Sequence, residues 1–188
     1  MIKRFNKILR ENEIIRRYIV INSFDGALTV LGIILAEFVA GISNSQLIIL
    51  PSLGAGIAMC ISGIWGAYVA EVAEVKRSLE NLEKHLMRDL NGTKLQEKME
   101  KTTFLVAIVD GLSPLIVVLI IVSPFFLPFG ITASYYSSFI VSAVILFFLG
   151  SFVGSVARES RILYGIKMLA AGVVIGLLFY ILAISGLL

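Results

Sequence analysis

Five long apolar runs alternate with short polar segments along this chain. They cover about residues 19–42, 50–71, 103–125, 133–156 and 165–187. Each run provides the roughly 20 residues that an α-helix needs to cross about 30 Å of hydrocarbon. A spanning helix also satisfies its own backbone hydrogen bonds, which an open strand in lipid does not. The pattern therefore predicts an all-α membrane protein with five transmembrane helices.

The segment between the second and third runs is the longest polar part of the chain. It carries leucines at heptad-like spacing, Leu79, Leu82, Leu86 and Leu90. Residues at this spacing share a helix face, and the Asn91-Gly92-Thr93 sequence that follows favours a turn. We expect a short acidic helical hairpin here. The predicted regions are a basic N-terminal segment (1–18), two transmembrane helices (19–71), the hairpin (72–102) and three transmembrane helices (103–187).

Two parts of the apolar sequence repeat. Asp25-Gly26 recurs as Asp110-Gly111, and residues 63–70 are echoed by residues 150–157. Both copies begin and end on the same side of the predicted bilayer. We therefore expect a parallel repeat, related by an axis along the membrane normal as in some transporters.

Composition and charge give this membrane protein an orientation. Hydrophobic residues make up 58% of the chain and the mean hydropathy is +0.95, whereas roughly 45–50% of residues are apolar in a soluble domain. The 16 lysines and arginines lie before the first run, between the second and third, and around the connection of the fourth to the fifth. The positive-inside rule then predicts a cytoplasmic N-terminus and an external C-terminus. Basic and apolar residues alternate within 1–17, which fits either a topology anchor or a helix lying on an anionic membrane surface.

Carboxylates inside two of the apolar runs point to transport. Asp25 and Asp110 each lie a few residues within a run. An acidic residue at the centre of a span costs about 2.5–3.5 kcal/mol on insertion scales, and such residues usually mark ion or proton pathways. Transport is therefore the leading functional interpretation.

Further carboxylates occur in pairs three residues apart: Glu71 with Glu74, Glu80 with Glu83, and Glu97 with Glu100. Residues i and i+3 share a helix face, so two packed helices can direct several carboxylates at one divalent cation. Lysines and arginines are interleaved with these acids. A solvated, salt-bridged helix surface is therefore an alternative explanation of the same spacing.

The sequence favours a transporter over an enzyme. With one His and one Cys, it has no His-Glu-x-x-His zinc helix and no paired histidines for haem. Neither a Gly-x-Ser-x-Gly elbow nor a phosphate-binding loop is present. We expect no permanently bound cofactor and no nucleic-acid partner.

Several stretches of the chain resemble the vacuolar iron transporter family. The matching residues are Asp25-Gly26, Ser62 to Ala70, Ser113 to Phe125, and Arg158 through Gly165 to Gly172. The resemblance implies five spans, a cytoplasmic N-terminus, a homodimer, and proton-coupled export of Fe(II) or Mn(II) from the cytoplasm. The short polar segment between the second and third spans resembles a compact prokaryotic member, which implies a plasma-membrane location.

The resemblance also suggests roles for individual residues. Asp25 would be the intramembrane metal ligand and proton acceptor, and Asp110 a second proton site or a structural partner. The family motif has a methionine and a glutamate where this chain has Gly63 and Ala67. Met59 and Glu71 lie one helical turn away from those positions. Met59 would be a soft ligand that favours Fe(II) over Mg(II).

The remaining acids would form the cytoplasmic part of the pathway. Glu71 and Glu74 would be the entrance, and the hairpin acids would capture metal first: Glu80, Glu83, Glu97 and Glu100. The alternative from another functional class is a non-transporting membrane scaffold. In that case, the hairpin would bind a cytoplasmic partner, and Asp25 and Asp110 would only hold helices together.

Overall fold

The computed structural model describes residues 13–128 and 130–185. Within these residues all regular structure is helical, in the order α1 (Glu13–Val39), α2 (Ser45–Leu86), α3 (Lys94–Val122), a 3-10 turn (Ser123–Phe126), α4 (Ile131–Ala157) and α5 (Arg161–Ile184). Most of the predicted basic N-terminal segment, residues 1–12, lies outside the described residues.

The five α-helices are each long and apolar enough to cross a membrane. Even α5, with 24 residues, extends about 36 Å at 1.5 Å per residue, which exceeds the roughly 30 Å of hydrocarbon in a bilayer. The prediction of an all-α protein with five membrane-spanning helices is confirmed. The chain is a multi-pass membrane protein.

Two groups of helices make up the bundle. In the first, α2 packs along α3 and α1 also lies against α3; in the second, α4 packs along α5. α1 additionally contacts α4 and α5, so it joins the groups. The buried core lies between α1, α2, α3 and α4 and includes Val30, Ile34, Ile48, Val118 and Ile121.

Glycines allow the helices to cross closely. A Cβ atom built on Gly111 of α3 would lie 2.3 Å from the Cys60 carbonyl oxygen of α2, and one on Gly26 of α1 would lie 2.8 Å from Cα of Pro114. A Cβ on Gly150 of α4 would come within 2.3 Å of the Tyr164 carbonyl oxygen of α5. Small residues bring helix backbones together because association in lipid relies on close van der Waals packing.

The two prolines of α3 have different effects on the helix. α3 continues through Pro114, which packs against Gly26, whereas at Pro124 it gives way to the 3-10 turn. Serines of α4 satisfy carbonyl groups near that end. Ser138 donates to the Ile121 carbonyl oxygen at 2.8 Å and Ser134 to that of Pro124 at 3.1 Å. These side chains of α4 thus satisfy carbonyl groups where the helical hydrogen bonds of α3 come to an end.

The connection between α2 and α3 is a short turn. α2 ends with Met87 in the left-handed region at φ 49°, and Gly92 adopts φ 72°. The Asp89 carboxylate accepts a hydrogen bond from the Asn91 backbone N–H at 2.8 Å, which holds the pKa of Asp89 below its usual value. Asn and Gly thus occupy positions where local hydrogen bonding and a positive φ are needed.

Candidate functional site

A cluster of polar side chains joins α1, α2 and α3. Asp110 of α3 is only 7% exposed and accepts a hydrogen bond from Nδ2 of Asn22 on α1. Asn22 also donates to the Tyr18 carbonyl oxygen at 2.9 Å. A Cβ on Gly63 of α2 would lie 2.9 Å from Oδ2 of Asp110. The absence of a side chain at Gly63 therefore leaves space for the carboxylate between the helices.

A second hydrogen bond lies one helical turn nearer the N-terminal end of α1. The Tyr18 hydroxyl donates to Oε1 of Glu71 on α2 at 3.2 Å. Tyr18, Asn22 and Gly26 share one face of α1 because they are four residues apart. Successive turns of this face contact Glu71, Asp110 and Pro114. We call Tyr18, Asn22, Glu71 and Asp110 the polar cluster.

Asp25 lies outside the polar cluster. It is exposed on the surface of the chain, as are Glu13, Arg17, Ile21 and Thr29 at intervals of four residues. Together these residues form an exposed stripe along α1. Asp25 is twelve residues from the beginning of this 27-residue helix, or about 18 Å along its axis. The carboxylate therefore lies near the middle of α1, whereas the other charged residues of the stripe, Glu13 and Arg17, lie near the beginning of the helix.

The other predicted intramembrane and entrance residues lie in different surroundings. Met59 is partly buried and packs against the core, whereas Asp25 is on the exposed face of α1. Glu71 belongs to the polar cluster, but Glu74 is exposed. Across residues 13–128 and 130–185, no three His, Cys, Asp or Glu side chains are close enough to hold a metal ion together. The assignment of these residues as metal ligands stays a prediction.

Three of the acids predicted to capture metal line one cleft of about 560 Å³ between the end of α2 and the beginning of α3, namely Glu80, Glu83 and Glu100. Lys76 and the apolar side chains Val72, Val75 and Leu79 line it as well. Oε1 of Glu83 accepts from the Leu90 backbone N–H at 2.9 Å, and Oε1 of Glu100 accepts from Gln96 at 3.0 Å. Glu83 and Glu100 thus already have protein hydrogen-bond partners.

Glu97, the fourth of those acids, forms an exposed ion pair with Lys101 at 2.5 Å. This contact matches the solvated, salt-bridged surface that the charge pattern also allowed. Exposed pairs four residues apart on a helix contribute only about 0.3–0.5 kcal/mol. Glu97 is therefore a surface residue with a local partner.

Sequence reasoning missed Tyr18 and Asn22. Both are uncharged, and neither belongs to the repeated Asp-Gly motif. The available signal was their spacing of four residues with Gly26, which places two hydrogen-bonding side chains and a packing glycine on one helix face. The partners of that face, Glu71 and Asp110, are 53 and 88 residues away in sequence.

These features define a multi-pass helical membrane protein with a polar cluster between three of its spans. The chain is 34% identical, over 169 residues, to the uncharacterized protein MJ0645 of the archaeon Methanocaldococcus jannaschii. The matched region covers 88% of this chain and 87% of that protein. The chain belongs to the same family as this archaeal protein. No protein-family model matches it.

Proposed function

We propose that the protein is a proton-coupled divalent-cation transporter that exports Fe(II) or Mn(II) from the cytoplasm as a homodimer. The exposed position of Asp25 near the middle of α1 carries this proposal. A carboxylate facing hydrocarbon at this depth is unfavourable unless it is protonated, binds a cation or is covered by another protein surface. Metal and proton would then compete for the same carboxylate.

A second copy of the chain explains how Asp25 avoids lipid. Two-fold symmetry places the same patch of each subunit against its counterpart. Contact around Asp25 and Thr29, beyond the first turns of α1, would bring the two Asp25 carboxylates near the dimer axis. The pair would then offer several oxygen ligands to one divalent cation, which a single Asp25 does not.

The acids near the connection between α2 and α3 would supply this site. Glu80, Glu83 and Glu100 share the cleft beside α2, and Glu71 connects to Tyr18 within the bundle. We infer that metal is captured in the cleft, passes Glu71 and Glu74, and reaches Asp25 at the contact between subunits. The resemblance to vacuolar iron transporters supports this order, with no permanent cofactor and no enzymatic step.

Purified protein in proteoliposomes tests the proposal. Fe(II), Mn(II), Co(II) or Ca(II) is supplied on one side, and metal flux and lumenal pH are recorded together with internal dyes. We expect Fe(II) or Mn(II) flux with opposite proton movement, and loss of both in Asp25→Asn. Protein-free liposomes and a variant of an exposed acid outside the proposed pathway, Glu159→Gln, serve as controls. Folded wild-type protein with no flux of any of these ions would rule out transport of them.

The cleft also supports the second candidate, a membrane scaffold. Its apolar residues Val72, Val75 and Leu79 lie beside Glu83 and Glu100, whose carboxylates already have hydrogen-bond partners. This lining suits a peptide partner more than a metal. Changing Glu80, Glu83, Glu97 and Glu100 together to Gln separates the candidates. Divalent-cation binding measured by calorimetry should weaken if the cleft captures metal, whereas unchanged binding favours the scaffold.

Cysteine labelling tests the proposed orientation, with the C-terminus outside and the α2–α3 connection in the cytoplasm. Ser43, Thr132 and Asn91 are exposed and lie in or next to connections between helices. In a Cys60→Ser background, cysteines at Ser43 and Thr132 should react with an impermeant maleimide on intact cells, and one at Asn91 should react only after lysis. The reverse result would invert the direction of transport.

A further inference from the structure

A groove of about 420 Å³ opens beside the first turns of α1, between α1 and the α4–α5 pair. α1 contributes three charged residues, Glu13, Arg16 and Arg17, followed by the apolar Val20 and Ile21. The opposite wall is wholly apolar and consists of Phe152, Val153, Val156 and Met168. The groove therefore combines a charged entrance with a hydrophobic interior.

The depth of the groove matches the boundary between lipid headgroups and acyl chains. Val20 and Ile21 are seven and eight residues from the beginning of α1, or about 10–12 Å along the helix. Val156 is next to the last residue of α4. α1 begins and α4 ends at the charged entrance. The groove therefore extends from the level of these helix ends into the outer part of the hydrocarbon.

One guanidinium nitrogen at the charged entrance has no hydrogen-bond partner in the part of the chain that the structure describes. Nε of Arg16 is buried and has no hydrogen-bond partner among the described residues. Arg17 is exposed and lies 6.0 Å from the centroid of the Tyr18 ring. Glu13 is the one carboxylate among the groove residues, so two arginines leave an excess of one positive charge. A buried unpaired donor is unfavourable, and an anionic acceptor would satisfy it.

We propose that this groove is a binding site for one anionic phospholipid. Arg16 and Arg17 bind the phosphate, since guanidinium groups match phosphate oxygens in geometry and charge. An acyl chain lies along Val20, Ile21 and Val153. Basic pockets between transmembrane helices bind anionic headgroups for the same physical reasons. The apolar wall requires a ligand with a hydrocarbon chain, which a free phosphate lacks.

Charge also distinguishes a lipid from a second copy of the chain at this position. A two-fold contact would place each groove entrance against the same surface of the partner. Two patches with excess positive charge would then face each other. An anionic lipid instead neutralises the patch, and it does so whether or not the protein transports metal.

Native mass spectrometry of the detergent-purified protein tests the site with phosphatidylglycerol and phosphatidylcholine as probes. The wild type should retain phosphatidylglycerol in preference to phosphatidylcholine. Arg16→Gln with Arg17→Gln should weaken phosphatidylglycerol binding by about fivefold for each arginine removed, on the typical contribution of a basic residue near an anionic lipid. The control Arg77→Gln with Lys84→Gln removes the same charge from exposed positions of α2 and should leave binding unchanged.

A second pair of variants tests the apolar wall without changing charge. Val153→Trp fills the groove and should reduce phosphatidylglycerol binding, whereas Val144→Trp on an exposed part of α4 should not.

Soluble glycerol phosphate should not compete with the lipid. Equal losses in the groove and control variants would show non-specific attraction, and competition by glycerol phosphate would show an anion site only. Disulfide formation between copies through Val156→Cys on the α4 wall, in a Cys60→Ser background, would show that a second copy covers the groove. Each of these three results would overturn the proposal.

Discussion

The two Asp-Gly pairs of this protein have the same sequence and opposite surroundings. Both glycines lie at close helix crossings, Gly26 against Pro114 and Gly111 against the Cys60 carbonyl group. The preceding aspartates differ. Asp110 is buried and accepts a hydrogen bond from Asn22, whereas Asp25 is exposed on the surface of the chain. The motif therefore repeats a packing contact without repeating the environment of the carboxylate.

Helix geometry explains this difference. Successive residues point about 100° apart around a helix, so a glycine that faces a neighbouring helix turns the preceding aspartate toward a different side. α3 packs against both α1 and α2, so the side that Asp110 faces is occupied by α1. The corresponding side of α1 at Asp25 is open. The same Asp-Gly sequence thus gives a buried carboxylate on α3, at the centre of the bundle, and an exposed carboxylate on α1, at its edge.

The largest expected effect comes from removing the charge of each aspartate. Asp25→Asn should lower proton-coupled metal flux by at least tenfold, because the proposed ligand and proton acceptor is lost. Asp110→Asn should be milder, since the Asn side chain still accepts a hydrogen bond from Asn22. Flux is measured in proteoliposomes with protein of verified folding. Wild-type flux in Asp25→Asn would overturn the mechanism, and equal losses would mean that both pairs supply an essential site.

Adding a methyl group at the glycines tests the feature that the two pairs share. Gly111→Ala and Gly26→Ala should each destabilise the protein by about 1–3 kcal/mol, because the new Cβ would overlap backbone atoms of the opposite helix. Gly66→Ala is the matched control, since a Cβ there meets no atom within 4 Å. Unfolding is followed in detergent by fluorescence of Trp65. Equal stability of Gly111→Ala and Gly66→Ala would show that α2 and α3 can move apart at their crossing without loss of stability.

A double-mutant cycle measures the hydrogen bond that distinguishes Asp110 from Asp25. Asn22→Ala and Asp110→Ala should show a coupling energy of about 0.6–1.7 kcal/mol, the range for interhelical hydrogen bonds in a membrane protein. A cycle between Asn22 and Asp25 provides the comparison and should show no more than about 0.2–0.5 kcal/mol, the coupling of neighbouring side chains on one helix. The free energy of unfolding is the measured quantity. Coupling of equal size in both cycles would contradict the separate environments of the two aspartates.

The smallest effect is expected at the edge of the polar cluster. Tyr18→Phe removes the hydroxyl that donates to Glu71 at 3.2 Å and should cost about 0.5–1.5 kcal/mol of stability. The control Tyr180→Phe changes an exposed tyrosine of α5 and should be neutral. If Glu71 belongs to the metal entrance, Tyr18→Phe should also change the apparent metal affinity in the flux assay. If only the stability changed, the Tyr18–Glu71 hydrogen bond would serve helix packing and not the metal entrance.

The five spanning helices were predictable because each apolar run is a local property of the sequence. About 20 consecutive apolar residues favour a membrane-spanning helix wherever they occur. The importance of Asp25 and Asp110 as costly intramembrane groups was also recognisable from their position in these runs. The difference between them was not, because both occupy the same place in the same motif.

Only the tertiary structure decided which side chains meet. The polar cluster joins Tyr18 with Glu71 and Asn22 with Asp110 across three helices, and the groove combines residues of α1, α4 and α5. Helical periodicity specifies which residues share a face, but the rotation and neighbours of that face depend on how all the helices pack. The sequence by itself thus determined the helices and their candidate acids. The packing of small residues at the crossings decided that Asp110 lies between helices and Asp25 at the surface.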